Sequence, residues 1–326
     1  MSRRLKVLYL QHPNPGLASP WNEDTIAALE PRHDLHIFDR NQPAQPQFED
    51  VEVVVDLGGN ITTELLEVAA GAGVKFIQLQ TSGLDHVNVS EILATGMLLA
   101  HCPGLMSKVA LAESAMMFIL MLAHRYGEGL INFAERKFFF PIGMELVDRT
   151  LGIIGFGASG QHLARRAKPF GLKINAIDIR EIEPEILDEI QPDFLGGPSD
   201  LDRVIAESDF LSVHLHLTAD THHIIDARRI GLLKPTACLI NVARGGLIDE
   251  EAMYEALLHN KIGGAGLDAF AQEPVDPTRP VYALPNVCVT PHTAGSTDGT
   301  SRKRAAFAAE NLKRFANGEP LAALVE

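Results

Sequence analysis

Four side chains toward the C-terminal end have types that could hold an anion and move a proton. They are Arg244 in NVARGGLIDEE, Asp268 and Glu273 in GAGLDAFAQEPV, and His292 in VTPHTAGST. Histidine is the side chain most easily poised to exchange a proton near neutral pH. Singly, each has an ordinary structural explanation: a turn or core histidine, a surface ion-pair arginine, a loop carboxylate. Their context is more informative. Arg244, Asp268 and His292 each close a predicted strand, and Glu273 follows Asp268 on the next loop. Ligands of a parallel sheet sit beyond the carboxyl ends of its strands. The four are therefore expected to converge at one sheet edge.

A second constellation lies upstream. LGIIGFGASGQHLARRA reads as a strand, then Gly155-Phe156-Gly157-Ala158-Ser159-Gly160, then a helix. GxGxxG alone is a weak signal, but strand before and helix after make it a phosphate cradle. Gly155 serves the tight turn, Gly157 admits a pyrophosphate to the backbone, and Gly160 lets the helix sit close on the sheet. The helix start offers N–H groups and a positive dipole end. Asp178 closes the following strand, 18 residues past Gly160. A carboxylate there accepts hydrogen bonds from ribose hydroxyls and repels a 2′-phosphate, which favours NAD over NADP; Arg180, two residues on, is placed to soften that preference. A dinucleotide implies hydride chemistry. Carbonyl reduction also needs a proton for the oxygen, and His292 could supply it.

The elements that must position these groups are legible as alternation. KVLYL, LHIFD, VEVVVDL and KFIQLQ read as buried strands, with helices at WNEDTIAALE and TTELLEVAAG. A second series begins at Leu151, with strands LGIIG, KINAID, DFLSVH, CLINVA, GAGLD and VCVT and helices including GQHLARRAKPF and DEEAMYEALLHN. Strand–helix alternation implies parallel sheets in an α/β fold. The two series are too long for one sheet, so two domains are expected. The acidic EIEPEILDEI reads as a solvated surface segment. VALAESAMMFILMLA, apolar on nearly every side, must be covered, either deep in a core or at a subunit interface. TDGTSRKRAAFAAENLKRFANG reads as a final helix.

Bulk properties narrow the class. A length of 326 residues suits two domains. A net charge of −14 sets the surface against nucleic acid and anionic membranes. An anionic ligand would then depend on a few local cations or amides. Cys102, Cys238 and Cys288 are far apart, which argues against a disulfide framework or a zinc site and suits a reducing cytoplasm. The N-terminal apolar run is too short for a secretory leader. The apolar stretch carrying Glu113 is too short to span a bilayer.

Together these segments resemble the D-isomer-specific 2-hydroxyacid dehydrogenase family. The likeness runs from about residue 76 to residue 297, through SGLDHV, CPGLMSKVALAE, GMELVDRTLGIIGFGASGQ, LTADTHHII, KPTACLINVARGGLIDEEAMYEAL, KIGGAGLDAFAQEP and PNVCVTPHTAGST. It implies two Rossmann-like or flavodoxin-like parallel-sheet domains with a cleft between them. Residues 1–101 and 293–326 would form the substrate domain and 102–292 the NAD-binding domain, with hinges near His101–Cys102 and Pro291–Thr293.

The resemblance also implies roles. His292 would donate the proton in reduction and accept it in oxidation. Glu273 would orient the ring and raise its pKa. Arg244 would present a planar fork to the substrate carboxylate and carbonyl, and backbone amides of Thr81, Ser82 and Gly83 would complete that site. Gly155, Gly157, Ala158, Ser159, Gly160, Asp178, His214, Val242, Ala243, Arg244, Asp268, His292, Ala294 and Gly295 would line the cofactor site. The substrate side chain would meet Leu57–Asn60, Ser82, Met106 and a phenylalanine of a neighbouring subunit. The implied protein is a cytoplasmic NAD-dependent oxidoreductase and homodimer. It would interconvert a small anionic 2-keto acid and a D-2-hydroxy acid of the glyoxylate or hydroxypyruvate type, with no metal, nucleic-acid or membrane partner. A non-catalytic NADH-responsive corepressor is the alternative. Formate and phosphite oxidation are disfavoured by Glu273 and Ser82, where those enzymes are expected to carry glutamine and lysine.

Two departures stand out. His216 replaces a frequent proline, and with His214, His222 and His223 it raises the question of a metal site, which is disfavoured because no acidic or cysteine ligand is near. KFFFPIGMEL lacks a frequent tryptophan, and Phe138, Phe139 and Phe140 could serve core, dimer or cleft.

Overall fold

In a computed structural model describing residues 3–12, 16, 19–84 and 86–325, the chain forms two compact units. The first comprises Met1–Met106 and Ser296–Glu326, the second Ser107–Gly295. These divisions fall five and three residues beyond the expected 101/102 and 292/293. The second shift has a physical reason: the Asp268 carboxylate accepts the N–H groups of Thr293 and Ala294, tying that segment to the second unit.

The first unit opens with β1 (Lys6–Leu10), α1 (Trp21–Leu29), β2 (Asp34–Ile37), α2 (Ala44–Gln47), β3 (Val53–Asp56), α3 (Thr63–Ala72), β4 (Phe76–Leu79), α4 (Val89–Ala94) and β5 (Leu98–Ala100). All five strands are parallel, in the order β2-β1-β3-β4-β5. Every residue of β3 and β4 is buried, as expected of a parallel sheet covered on both faces. Side chains such as Leu8, Val54 and Ile77 fill one face, and Val7, Tyr9 and Phe76 the other.

The second unit runs through α5 (Lys108–Ala123), α6 (Tyr126–Ala134), β6 (Thr150–Ile154), α7 (Ala158–Ala167), β7 (Lys173–Ile177), α8 (Pro184–Ile190), β8 (Phe194–Gly196), α9 (Leu201–Glu207), β9 (Phe210–Val213), α10 (Ala227–Ile230), β10 (Cys238–Asn241), α11 (Glu250–Leu258), β11 (Gly264–Leu267) and β12 (Val287–Val289). Its sheet is parallel throughout, in the order β12-β11-β10-β9-β6-β7-β8. The chain winds outward from β6 to β8, then returns to β9 on the other side of β6. That reversal opens a crevice at the carboxyl ends of β6 and β9. The chain then rejoins the first unit with α12 (Asp298–Asn317), capped by Thr297 at its start, closed by Gly318 at φ 70° and packed on α1.

Two readings need correction. The strands β5 and β8 went unanticipated: each has three residues and lies at a sheet edge, too short for a periodic pattern. EIEPEILDEI lies at the surface with its acidic side chains exposed, but it is a helix with an apolar side rather than a wholly solvated segment. Pro184 occupies the first turn of α8, where its missing N–H costs nothing, and Ile182 and Ile190 are buried in the core. Helix α5 packs in the core, one of its two expected settings: Ala115, Phe118 and Ile119 are buried, and a Cβ on Gly266 would lie 2.6 Å from Phe118. Phe138, Phe139 and Phe140 are exposed rather than core.

Candidate active site

The cradle follows directly from the crevice. Gly155 leaves β6 at φ 95°, and a Cβ there would meet the His214 carbonyl oxygen at 2.5 Å. A Cβ on Gly160 would meet the Gly155 oxygen at 2.3 Å, so glycine is what lets α7 begin so close to the strand. Gly157 is the N-cap, and no side chain caps the helix, leaving the amides of Ala158, Ser159 and Gly160 at an uncapped positive end. These features fit a pyrophosphate.

His214, just beyond β9, backs this turn. Its Nδ1 lies 3.0 Å from Ser159 Oγ and its Nε2 2.9 Å from Ser212 Oγ. Desolvation pushes the imidazole down to about 4. At neutral pH it is therefore uncharged, one nitrogen donating and the other accepting. His216 does not share its environment: β9 has ended, strand alternation no longer applies, and His216 is exposed. The His222 and His223 rings stack on each other with centroids 3.9 Å apart. Among the described residues, no three His, Cys, Asp or Glu side chains are arranged to hold a metal.

Asp178 lies immediately beyond β7, its side chain 7% exposed. Both its oxygens are engaged by Arg180: Nε–Oδ1 and Nη2–Oδ2 are each 3.0 Å, and the Arg180 N–H adds a bond at 2.9 Å. Burial would raise this carboxyl, but the Arg180 hydrogen bonds and charge, with the Phe156 N–H, leave it below the usual range.

The reactive residues gather at the carboxyl ends of β10, β11 and β12. At the end of β10, buried Asn241 shapes the turn that follows: its Oδ1 accepts the Ala243 N–H at 3.0 Å and its Nδ2 donates to the Arg244 carbonyl at 2.9 Å. Arg244 is half-buried and donates from Nη1 to the Ala243 oxygen. A Cβ on Gly245 would lie 1.8 Å from the Phe270 carbonyl carbon, so the Arg244 turn rests directly on the loop that carries Glu273. Glu273 spans that loop: Oε1 accepts the Phe270 N–H at 2.9 Å, and Oε2 lies 2.7 Å from His292 Nδ1. A carboxylate only accepts, so Nδ1 must carry the proton of this bond. Nε2, on the opposite side of the ring, is left for a reacting partner. The pair stays accessible, with side chains 43% and 35% exposed for His292 and Glu273.

Asp268 acts beneath this pair. Its 1% exposed carboxylate accepts Thr290 Oγ1 at 2.6 Å and the N–H groups of Thr293 and Ala294 at 2.7 and 2.9 Å. These bonds hold the loop in which His292 adopts φ 54°, a conformation uncommon for a non-glycine residue. Ala294 is thus engaged through its N–H and buried, and the Val242 side chain lies in the core. Ala243 sits half-exposed in the Asn241 turn, and a Cβ on Gly295 would be 3.6 Å from Ser107.

In the first unit, Thr81, Ser82 and Gly83 follow β4. The Thr81 carbonyl accepts the Cys102 N–H at 3.0 Å, and Thr81 Oγ1 is buried without a partner. Ser82 Oγ accepts from Arg304 Nη2 at 3.2 Å. Asn241, Gly245, Arg304 and the reach of Asp268 were not anticipated. Only Asn241 left a local trace, as a polar residue closing an apolar strand.

A doubly wound parallel sheet, a glycine cradle at its switch point and an acid closing the next strand define a nicotinamide-dinucleotide-binding oxidoreductase. Residues 116–294 match the family model described as D-isomer specific 2-hydroxyacid dehydrogenase, NAD binding domain, and the chain belongs to this family. It is an NAD-dependent enzyme of 2-hydroxyacid oxidoreduction. It is 31% identical over 312 residues to the glyoxylate reductase of Korarchaeum cryptofilum, covering 91% of each chain. It is 37% identical over 257 residues to the hydroxypyruvate reductase of Thermotoga maritima, covering 77% of this chain and 80% of that protein. The structure of D-lactate dehydrogenase from Aquifex aeolicus complexed with NAD and lactic acid superimposes with a TM-score of 0.76 at 27% identity, covering 96% of both chains.

Proposed function

We propose that this enzyme interconverts a small 2-keto acid and its D-2-hydroxy acid, with His292 as the acid in reduction and the base in oxidation. The observation that carries this reading is the 2.7 Å contact between His292 Nδ1 and Glu273 Oε2, which fixes the ring and directs Nε2 away from the carboxylate. The bound nicotinamide supplies or accepts the hydride. His292 Nε2 supplies or removes the hydroxyl proton, Glu273 sets the ring's tautomer, and Asp268 sets the loop. Arg244 presents its guanidinium to the substrate's carboxylate and carbonyl oxygen, a bidentate geometry that lysine cannot copy. In the first unit, the turn of Thr81, Ser82 and Gly83 is read as a carboxylate-binding turn, and the buried, unpartnered Thr81 Oγ1 supports a ligand there. Kinship with glyoxylate and hydroxypyruvate reductases favours a short substrate.

The decisive test is His292→Gln, which keeps a polar side chain but cannot shuttle a proton. NADH oxidation with glyoxylate and hydroxypyruvate should fall by ~10²–10⁴-fold, the usual contribution of general acid catalysis, while the NADH dissociation constant stays within about threefold. A variant retaining most of its turnover would remove His292 from the proton transfer.

The second unit exposes Leu130 and Phe133 on α6, and Phe138, Phe139, Phe140 and Ile142 on the segment that follows it. Neighbouring exposed apolar side chains of this number favour burial against a second copy of the chain. Elution as a monomer at micromolar concentration would contradict that. The three cysteines are buried and unbonded, which favours a cytoplasmic setting.

A further inference from the structure

Glu273 must itself be held before it can hold His292, and its own segment has little to hold it. No helix or strand lies between Leu267 and Pro280. From Ala271 to Pro280 only Val275 and Arg279 are even partly buried. A loop with so few core contacts opens at small cost unless something outside ties it down. Helix α11 does so at both ends. Glu250, the first residue of α11, accepts the Ala271 N–H at Oε1, 3.2 Å away. That peptide is the neighbour of the Phe270 N–H, which Glu273 accepts. Four residues along the same helix, buried Tyr254 meets Tyr282, beyond the far end of the loop, in a bond between their hydroxyls. The Tyr282 ring stands edge-on to Phe270 with centroids 5.8 Å apart, so the two ends of the loop also touch each other. Arg279 lies 4.3 Å from the centre of the Tyr254 ring and pairs with Glu251 at 2.8 Å. Burial first, then the bond to Tyr282 and the charge of Glu250, raises the Tyr254 phenol, and burial raises Tyr282. Both hydroxyls therefore keep their protons at neutral pH, and one donates to the other.

We propose that Glu250 and the Tyr254–Tyr282 hydroxyl pair are positioning residues for the proton transfer: they fix the loop that carries Glu273 and, through it, the His292 ring. This rests on the reading of His292 as the acid and base. The anchor is rigid, because Met253, Tyr254, Ala256 and Leu257 bury one side of α11 in the core. The lever is short, because Ala271 is two residues from Glu273. A shift of the anchored peptide therefore reaches the carboxylate, whose 2.7 Å bond to His292 Nδ1 tolerates little displacement.

The test measures NADH oxidation with whichever of glyoxylate, hydroxypyruvate and pyruvate the wild type reduces fastest. The variants are Glu250→Ala, Glu250→Gln, Tyr282→Phe, Glu273→Ala and the double variant Glu250→Ala with Glu273→Ala. In Glu250→Ala, kcat should fall about tenfold while KM for the keto acid and for NADH stays within about threefold. Glu250→Gln loses the charge at the helix start, as alanine does, but keeps an oxygen for the Ala271 N–H. It should recover kcat to within about threefold of the wild type. Tyr282→Phe keeps the ring against Phe270 and deletes only the hydroxyl, so kcat should fall ~3–10-fold with KM unchanged. Once Glu273 is gone there is no carboxylate to place, and Glu250→Ala should then cost less than about twofold. Equal losses in the Ala and Gln variants would assign Glu250 to helix stability, and full additivity in the double variant would detach it from Glu273. Either overturns the proposal, as does an unchanged kcat in Glu250→Ala or Tyr282→Phe. If Glu250→Ala fails to fold, Tyr282→Phe decides in its place, alone and on the Glu273→Ala background. A His292→Gln variant that keeps its rate overturns the proposed function and this inference with it. One that loses its rate while the Glu250 and Tyr282 variants keep theirs overturns this inference alone.

Discussion

Each unit places a buried aspartate at the carboxyl end of a strand, and the two aspartates do different work. Asp56, the last residue of β3 and fully buried, folds its own loop. It accepts the N–H groups of Gly58, Asn60 and Ile61 at 3.0, 2.9 and 2.9 Å, and Asn60 Nδ2 at 2.9 Å. Asp268, just beyond β11, instead reaches the loop of the neighbouring strand, 22 to 26 residues later. One carboxylate makes a local turn, whereas the other welds two strand ends together. Local turns need only a short polar side chain and the adjacent backbone. A weld depends on strand order, because only the pairing of β11 with β12 brings residues 290–294 beside Asp268.

Replacing each aspartate by asparagine tests that distinction. In Asp268→Asn the amide nitrogen would face the Ala294 N–H, donor against donor, at a cost of about 1–3 kcal/mol. The larger effect should be on rate. A loop displaced by about 1 Å would misplace His292 and lower kcat by ~10²-fold. In Asp56→Asn a comparable clash would arise at the Ile61 N–H, with a comparable stability loss of about 1–3 kcal/mol. Here kcat should fall by less than about tenfold, because the damaged loop carries no proton-transferring residue. Urea midpoints and steady-state kinetics on both variants would check this. Equal losses of kcat would show that reach across strands confers no special leverage on the catalytic pair.

The same division explains what the sequence disclosed. The cradle from Gly155 to Gly160 and the acid Asp178 were readable because their chemistry is contiguous: strand, turn, helix, next strand. Glu273 and His292 were readable as residue types at strand ends, but their contact depends on β11 pairing with β12, and the family resemblance supplied it before the geometry did. The targets of Asp268 were not readable, because backbone N–H groups at Thr293 and Ala294 leave no trace in residue type. Nor was the packing of Gly245 on the Phe270 peptide, since glycines are common in such turns. The meeting of Trp21, Ser82 and Arg304 spans nearly the whole chain and follows no period. The charge of EIEPEILDEI disclosed its exposed side and hid its apolar one. Ile182, Ile186, Leu187 and Ile190 supply the apolar face of that segment, and Pro184 starts its helix rather than breaking it.

Buried histidines extend the comparison to a smaller effect. His33, between α1 and β2, is 1% exposed and neither ring nitrogen has a partner; burial first, then the charges of Arg32 and Arg4, lower its pKa. His214 is lowered to about 4 by desolvation, but both its nitrogens meet serine hydroxyls, one of them 55 residues away. A histidine whose folded pKa is depressed makes no pH-dependent contribution above its unfolded value near 6.5. Stability is lost as pH falls from there toward the folded value, because the unfolded chain takes up a proton that the folded chain refuses. For His214 that loss lies between pH 6.5 and about 4 and is at most ~3 kcal/mol. In His214→Gln the amide keeps a donor and an acceptor but does not titrate. The variant should lose about 1 kcal/mol at pH 7.5 from poorer geometry. Its melting temperature should then fall less than the wild type's between pH 7.5 and 4.5, with the remaining slope owed in part to His33. Parallel slopes for the two proteins would mean that the His214 ring takes its proton without opening the fold, so that the link between Ser212 and Ser159 is dispensable.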